Sequence, residues 1–210
     1  MHRDTLTVWT YLLVALAWIV WCTVHSLLIT ATVNDWIQRK GGRYQALYRL
    51  AYIIFSLLSL LPVLGLEHHF DQKVVFVWHG PWRLLQGGLL LYALVMFWGG
   101  KQVYDLDYFL GLAQWRAYRQ RASLAEFSFR SRGVLQYVRH PWYSGGIALL
   151  LALEPVTDLS LVSRTILILY LVVGTILEER KLVRELGPRY EQYRSRVPML
   201  VPWKGKVVAK

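Results

Sequence analysis

The chain has 210 residues, of which 55% are hydrophobic and only 18% are charged, and its formal net charge is +11. Long apolar runs alternate with short basic segments, which is typical of an integral membrane protein and excludes an ordinary soluble domain. The basic residues flank the apolar runs and form no separate basic domain. Attraction to lipid headgroups therefore accounts for the net charge, and nucleic-acid binding is not expected.

Five apolar runs predict an all-α fold, a polytopic bundle of about five transmembrane helices. The runs cover residues 7–30, 48–66, 84–99, 141–153 and 159–177. A helix needs about 20 residues to cross the hydrocarbon region. The first run is longer than a signal-peptide core and is interpreted as a retained helix. Pro62 is expected to kink the second run. The short fourth run ends at Glu154-Pro155, so the fourth and fifth are expected to form a tight, asymmetric hairpin.

The distribution of Lys and Arg predicts the orientation of these spans. With five crossings, 20 of the 24 basic residues lie on one side, in the first and third connections and the C-terminal tail. The other four lie at the N-terminus and in the second and fourth connections. Because basic connections stay in the cytoplasm, the N-terminus is expected outside and the tail inside.

Two amphipathic segments are expected on the cytoplasmic side. Residues 109–116 mix apolar and basic residues at helical spacing, which is typical of an interfacial helix. In the tail, Gly187-Pro188 is expected to divide a second segment. Its apolar positions recur at steps of three and four residues: Leu182, Leu186, Tyr190, Tyr193 and Val197. Residues 1–210 are interpreted as one domain with a cytoplasmic cap.

The stretch Arg139-His140-Pro141 is the first candidate for chemistry. Proline is favoured at the first position of a helix, so Arg139 and His140 should lie at the positive end of a helix dipole. Backbone N–H groups there lack partners within the helix, and such an end binds anions. Tyr143 is placed to stack or to donate a hydrogen bond, and Gly145 permits close approach of a ligand or another helix. The alternative interpretation of this stretch is an ordinary helix start, in which the side chains of Arg139 and His140 extend to the membrane interface and bind no ligand.

Glu178-Glu179, at the end of the last apolar run, is the second candidate. Carboxylates at an apolar boundary are costly unless they are paired, and basic residues are the usual flank there. Ordinary interfacial charges are the alternative. Together the two stretches would bind a zwitterion, with its anionic group near Arg139 and His140 and its cation or hydroxyls near the carboxylates. S-adenosylmethionine fits this description, although it is not the only molecule that does.

The C-terminal part of the chain carries a combination of motifs in a fixed order. It begins with Gly133 and an Arg-His-Pro-x-Tyr core at 139–143, and a Glu-Glu pair follows at 178–179. A Gly-x-x-Tyr-x-x-Tyr segment at 187–193 precedes Val197-Pro198. This pattern resembles a superfamily of integral membrane methyltransferases. The superfamily includes isoprenylcysteine carboxyl methyltransferases, phospholipid N-methyltransferases and enzymes that methylate small thiols.

The resemblance implies a methyltransferase that uses S-adenosylmethionine, bound on the cytosolic side by the region 133–203. The residues implied for the cofactor site are His140, Pro141, Tyr143, Gly145, Glu178 and Glu179. A catalytic part is expected for Glu178 and for Arg139, which would orient an anionic substrate. Residues 1–100 are expected to face the substrate. An apolar, amphiphilic or small-molecule acceptor would enter from the bilayer.

Several acceptors remain open from the sequence. An isoprenylcysteine-like carboxylate and a small or amphiphilic thiol are the first choices, and a phospholipid amine is an alternative. The segments 25–28, 109–111 and 197–202, together with Gln114, are similar to thiol-methylating and NnrU-like relatives. A non-enzymatic membrane sensor or assembly protein that keeps the fold is therefore the competing class.

The remaining histidines and the single cysteine are interpreted structurally. His25, inside the first run, is expected to be a neutral imidazole bonded to a neighbouring helix. Three further histidines lie in the second connection: His68, His69 and His79. Their spacing matches no standard metal site, so no metal is expected. Cys22 is interpreted as a small buried apolar residue.

Overall fold

The computed structural model describes residues 7–123 and 131–206. The helices there are α1 (Val8–Leu28), α2 (Ala31–Lys40), α3 (Gly42–His69), α4 (Trp82–Val103), α5 (Leu106–Leu110), α6 (Leu112–Gln120), α7 (Pro141–Ala152), α8 (Asp158–Leu186) and α9 (Pro188–Arg196). Two short strands, β1 (Val74–Phe76) and β2 (Val156–Thr157), pair antiparallel. The helices α1, α3, α4 and α8 are long and apolar enough to cross a membrane. The prediction of an all-α polytopic membrane protein is confirmed.

The fourth predicted span is a shorter helix than the other four. Helix α7 has 12 residues, which rise about 18 Å, so it falls short of the usual length of a span. The residue before a proline is biased away from the helical conformation, and the helix ends just before Glu154-Pro155. Four helices, not five, therefore have the length of a span in the described ranges.

Helix α7 nevertheless runs back along most of α4. Gly100 near the end of α4 lies against Trp142, and the Gln86 side chain near its start donates to the carbonyl of Ala152 at 3.0 Å. Strand β2 after α7 then pairs with β1 before α4. The chain after α7 thus returns to the level at which α4 begins.

The chain forms two compact units, and the first comprises Met1–Lys73, Asp105–Ser128 and Asp158–Ile166. Its buried carboxylate, Glu67, accepts from Trp18 Nε1 at 2.8 Å and from Ser163 Oγ at 3.2 Å, so it joins α1, α3 and α8. The Tyr52 hydroxyl of α3 lies 2.8 Å from His25 Nε2. The interpretation of His25 as a group bonded to a neighbouring helix is confirmed.

The interfacial segment of the first unit is divided in two at Gly111. Its φ of +84° is the left-handed conformation that favours glycine. A Cβ atom at this position would lie 2.9 Å from the Leu50 backbone nitrogen. The predicted amphipathic helix is therefore a pair, α5 and α6, folded against α3.

The second unit comprises Val74–Tyr104, Phe129–Thr157 and Leu167–Lys210. Its central contact is the antiparallel pair α4 and α7, and small residues set the distance between the two helices. A Cβ atom on Gly145 would lie 3.0 Å from Met96 Cβ and 3.2 Å from the Ala93 carbonyl oxygen. The structure therefore explains Gly145 by the approach of another helix, the second of the two alternatives that the sequence left open.

Replacing Gly100 by Ala is expected to destabilise the second unit by about 1–3 kcal/mol, as overpacking usually does. The new Cβ atom would overlap Trp142 Nε1. Gly87 on the same helix is the matched control, because its Cβ position has nothing within 4 Å. Thermal unfolding in detergent measures the difference. Equal melting temperatures for Gly100→Ala and Gly87→Ala would contradict the close packing of Gly100 against Trp142.

The tail folds as the spacing of its apolar residues predicts. Helix α8 ends at Leu186, Gly187 has a φ of +58°, and α9 begins at Pro188. Tyr190, Tyr193 and Val197 form a buried cluster. The partly buried residues against it are Leu182, Val183 and Leu186. The predicted break and the predicted apolar face are both confirmed.

Candidate active site

The two charged stretches singled out in the sequence meet within the second unit. Pro141 is the first residue of α7, so Arg139 and His140 lie directly before that helix. Helix α8 continues past the apolar run that predicted it, and its extension carries Glu178 and Glu179. His140 Nδ1 lies 3.7 Å from Glu178 Oε2, and His140 Nε2 lies 3.2 Å from Glu179 Oε1.

Glu179 is the buried centre of this cluster. One of its oxygens, Oε1, accepts from Arg139 Nε at 2.5 Å and from the Tyr190 hydroxyl at 3.3 Å, and it also faces His140 Nε2. The side chains of Arg139 and Glu179 are 8% and 9% exposed. A carboxylate with this many donors is held as an anion in one orientation.

The tail supplies the other partners of Arg139. Its Nη1 donates to the carbonyl of Arg194 at 2.8 Å and also to the carbonyl of Val197. The backbone N–H groups of Arg139 and His140 donate to the carbonyls of Pro198 and Met199, at 2.9 and 3.2 Å. The stretch 139–140 is therefore bound to the protein's own tail.

This geometry differs from the anion site expected at the start of α7. The Arg139 guanidinium faces Glu179 and two tail carbonyls and not a ligand, because it is buried between α8 and the tail. The orienting role expected for Arg139 toward a substrate does not fit that placement. Arg139 instead binds Glu179 and the carbonyls of Arg194 and Val197.

Glu178 differs from its neighbour in being open. Its side chain is 41% exposed, since adjacent helical residues point about 100° apart and Glu179 takes the inward direction. The Tyr143 hydroxyl interacts with the Glu178 carboxylate, and the Tyr143 ring lies edge-on to His140 with centroids 5.8 Å apart. Glu178 is thus the accessible carboxylate of the cluster, beside the buried His140 and the partly buried Tyr143.

Tyr104 also contacts this cluster, and the sequence patterns did not single it out. It follows α4, its ring lies 4.8 Å from the Trp142 ring, and its hydroxyl donates to the carbonyl of Arg139 at 3.5 Å. Burial raises the pKa of Tyr104 well above its ordinary value, and the charge of Glu178 raises it further. Burial and the charge of Glu179 raise the pKa of Tyr190 in the same sense. Both phenols are therefore neutral donors at physiological pH.

The tail is fastened to α4 and α7 at a second point. The Ser144 hydroxyl donates to the carbonyl of Leu200 at 2.5 Å and lies 2.6 Å from the Tyr92 hydroxyl. Tyr92 donates to the same carbonyl at 3.2 Å. Pro141 and Gly145 are both buried, so they shape this packing beneath the site. No sequence motif pointed to Tyr92 or Ser144, because their partner is a backbone carbonyl.

The second connection shows no metal centre in the described parts of the chain, where no three His, Cys, Asp or Glu side chains are grouped suitably. His68 Nδ1 lies 2.8 Å from the Leu64 carbonyl and His79 Nδ1 lies 2.9 Å from the Val77 carbonyl. These histidines interact with the backbone of their own segments.

Comparison with known proteins places this site in a family. The chain is 29% identical to the methanethiol S-methyltransferase of Crocosphaera subtropica over 87% of its length and 71% of the relative. It is 31% identical to the enzyme of that name from a Pseudomonas species, covering 89% and 75% of the two chains. The Mycobacterium tuberculosis enzyme of that name is also 31% identical, with coverage of 88% and 75%. The chain belongs to this family of membrane methyltransferases. No family model and no solved structure matches the chain.

Membership in the family confirms the resemblance drawn from the C-terminal motifs. The matches extend over most of the chain and are not confined to residues 133–203. The protein is therefore a membrane methyltransferase, and the non-enzymatic reading of the fold has no support among these relatives. The cluster brings Glu178 and Glu179 together with Arg139, His140 and Tyr190, from three of the sequence motifs.

Proposed function

We propose that the protein transfers the methyl group of S-adenosylmethionine to a small thiol. The main support for this proposal is that the adjacent carboxylates of Glu178 and Glu179 have different environments. Glu179 is fully engaged by Arg139, His140 and Tyr190, while Glu178 is left open beside Tyr143. A carboxylate fixed at the edge of a rigid, charge-balanced cluster suits a cationic or hydroxyl-bearing ligand. The thiol is inferred from the relatives, which are methanethiol S-methyltransferases.

The residues present fit this methyl donor. Its ammonium or its ribose hydroxyls would be held by Glu178, whose carboxylate is open. Arg139 and Glu179 would support these groups without touching the ligand, because both are buried. When bound, S-adenosylmethionine supplies an electrophilic methyl group on a sulfonium.

The protein's part in the reaction is alignment and exclusion of water. In an in-line displacement, the thiol sulfur forms a bond to the methyl carbon while the bond from that carbon to the sulfonium sulfur breaks. The products are a thioether and the demethylated cofactor, and the thiol proton is released to solvent. Because the thiolate is the nucleophile, the rate should rise with pH toward the pKa of the free thiol. Holding the reacting atoms in line away from water accounts for the catalysis.

The orientation in the membrane is part of the proposal. The return of α7 along α4 supports five crossings, since it takes the chain back to the level of β1. With five crossings, the 20 basic residues share one side. That side is the cytoplasmic one under the positive-inside rule, so the N-terminus lies outside and Glu178 faces the cytosol. The cytosol is where S-adenosylmethionine is available.

The test is methyl transfer by the purified protein in nanodiscs, with deuterium-labelled S-adenosylmethionine. Methanethiol and ethanethiol are offered beside an isoprenylcysteine analogue and phosphatidylethanolamine, and the products are identified by mass spectrometry. We expect label in the thioethers. If label appears only in the isoprenylcysteine analogue or only in phosphatidylethanolamine, the methyl acceptor is a carboxylate or a lipid amine and not a thiol. A protein that binds neither the cofactor nor its demethylated product would overturn the proposal.

A further inference from the structure

The first unit carries a basic surface whose residues are not part of the cluster of Arg139, Glu178 and Glu179. It consists of α2, the first two turns of α3, and the pair α5 and α6, and we call it the basic layer. Its cationic side chains are Arg39, Lys40, Arg43, Arg49, Arg116, Arg119 and Arg121. Its described carboxylates are Asp35, Asp105 and Asp107, and the last pairs with Arg116. The layer therefore has a clear excess of positive charge.

The elements of the basic layer lie at one end of the hairpin formed by α1 and α3. The Tyr48 hydroxyl donates to the carbonyl of Leu28, so the start of α3 lies beside the end of α1. Helix α2 connects those two ends. The turn at Gly111 packs on Arg49 and Leu50, which places α5 and α6 at the same level. The cations are thus gathered where two candidate membrane spans leave the hydrocarbon.

Aromatic rings accompany the cations of this layer. Lys40 lies 5.3 Å from the Trp36 ring and Arg43 lies 5.4 Å from the Tyr44 ring. Arg49 contacts the rings of Tyr108 and Phe109 at 5.4 and 5.6 Å, and donates to the Phe109 carbonyl. Trp36 is 56% exposed although it is aromatic. Exposed rings with neighbouring cations are typical of the headgroup region, where the ring reaches the acyl boundary and the cation meets phosphate.

The opposite end of the same hairpin has no such excess. Its carboxylates are Glu67, Asp71 and Asp158, and its described cations are Lys73 and Arg164. Asp158 is further bound within the unit, since it accepts from the Tyr11 hydroxyl and the Lys73 backbone N–H. The first unit is therefore electrically polarised along its spans, with the positive end at the basic layer.

We propose that the basic layer binds the headgroups of anionic phospholipids in one leaflet. The charge of the layer is complementary to phosphatidylglycerol, which carries a net negative charge, and not to phosphatidylcholine, which carries none. A cation near an anionic membrane surface contributes about 1 kcal/mol, which corresponds to a roughly fivefold preference for an anionic lipid in contact with it. The protein thereby selects the lipids next to its first unit, independently of the methyl acceptor.

The test uses the whole protein in phosphatidylcholine vesicles with spin-labelled lipids. The measured quantity is the association constant of labelled phosphatidylglycerol relative to labelled phosphatidylcholine. We expect a preference of about fivefold for the native protein. The variant R39Q/K40Q/R119Q/R121Q should lose most of it, since these four exposed cations are free of the ion pair with Asp107.

The variant R180Q/R184Q/R189Q/R196Q is the matched control. It removes the same number of exposed cations from α8 and α9 in the second unit. We expect this control to keep the preference. Equal losses in both variants would show a general effect of net charge and would overturn the proposal, as would an undiminished preference in the first variant.

A salt titration tests the native protein without any substitution. Raising the salt from 0.1 to 1 M shortens the Debye length from about 10 Å to about 3 Å. An electrostatic preference for phosphatidylglycerol should fall toward one over that range. A preference that does not change with salt would overturn the proposal even if the fourfold variant does not fold.

Discussion

Replacing Glu179 by Ala is expected to lower the free energy of unfolding by about 3–5 kcal/mol. The substitution leaves the Arg139 guanidinium buried without its counter-charge, and an isolated buried charge costs that much in other proteins. It also removes one acceptor of the Tyr190 hydroxyl, and Tyr190 is 1% exposed. The loss should be measured by thermal unfolding in detergent, with helical circular dichroism as the readout.

Glu185→Ala is the matched control for this substitution. Glu185 lies on the same helix and faces Lys181 at 3.7 Å, but both side chains are more than half exposed. Surface ion pairs of this kind contribute about 0–1 kcal/mol, so the control should unfold close to the native temperature. If Glu179→Ala and Glu185→Ala unfold at the same temperature, Glu179 is not the buried centre of the cluster.

The double substitution Arg139→Met with Glu179→Leu separates the charge from the packing. Removing both partners leaves no unpaired buried charge, so this variant should be more stable than Glu179→Ala alone. The tail carbonyls of Arg194 and Val197 lose their donor in it, which should keep its stability below that of the native protein. A double variant less stable than Glu179→Ala would show that Arg139 contributes chiefly through the tail.

The sequence predicted that the stretch Arg139-His140 meets the pair Glu178-Glu179. It did not predict which carboxylate binds which partner. Apolar run length and basic flanks predicted the four long helices α1, α3, α4 and α8, whereas the fourth predicted run forms the shorter α7. The helix signals around Pro141 and Gly187 gave the right boundaries. The adjacent carboxylates imply that one turns inward, since helical neighbours point about 100° apart. Which of the two does so depends on where Arg139 and Tyr190 lie in space, and no spacing along the chain contains that information.

Other features escaped prediction for related physical reasons. Strands β1 and β2 are too short to show a pattern of alternation, and they form only because α7 returns along α4. Tyr104 and Tyr92 act through backbone carbonyls, which every residue has. Gly145 was compatible with a ligand or a helix as its neighbour, and only the packing against Met96 decides between them.

The cluster combines a fixed interior with an open edge. Arg139 and Glu179 neutralise each other away from solvent and fasten the tail, so the ligand does not have to order them. Under the proposed function, Glu178 would meet the ligand from a position that His140 and Tyr143 already define. Such preorganisation reduces the entropy lost on binding. Under the proposed function, it divides the two carboxylates into Glu179, which holds the fold, and Glu178, which would hold the cofactor.

Replacing Glu178 by Gln is therefore expected to weaken cofactor binding without weakening the fold. A hydrogen bond to a charged group contributes about 1.5–3 kcal/mol, so the dissociation constant should rise by roughly 10- to 150-fold. The melting temperature without ligand should stay close to native, because the Glu178 side chain is 41% exposed. Calorimetric titration with the demethylated cofactor measures the affinity, and the demethylated product avoids turnover during the experiment.

Glu185→Gln serves as the control on the same helix, with an equal change of charge at an exposed position away from the cluster. It should bind the demethylated cofactor with native affinity. The decisive result is the contrast between the two adjacent carboxylates. Glu178→Gln should lose cofactor affinity and keep its melting temperature, whereas Glu179→Ala should lower the melting temperature. Native affinity in a well-folded Glu178→Gln protein would remove Glu178 from the cofactor site and with it the division of roles that the geometry indicates.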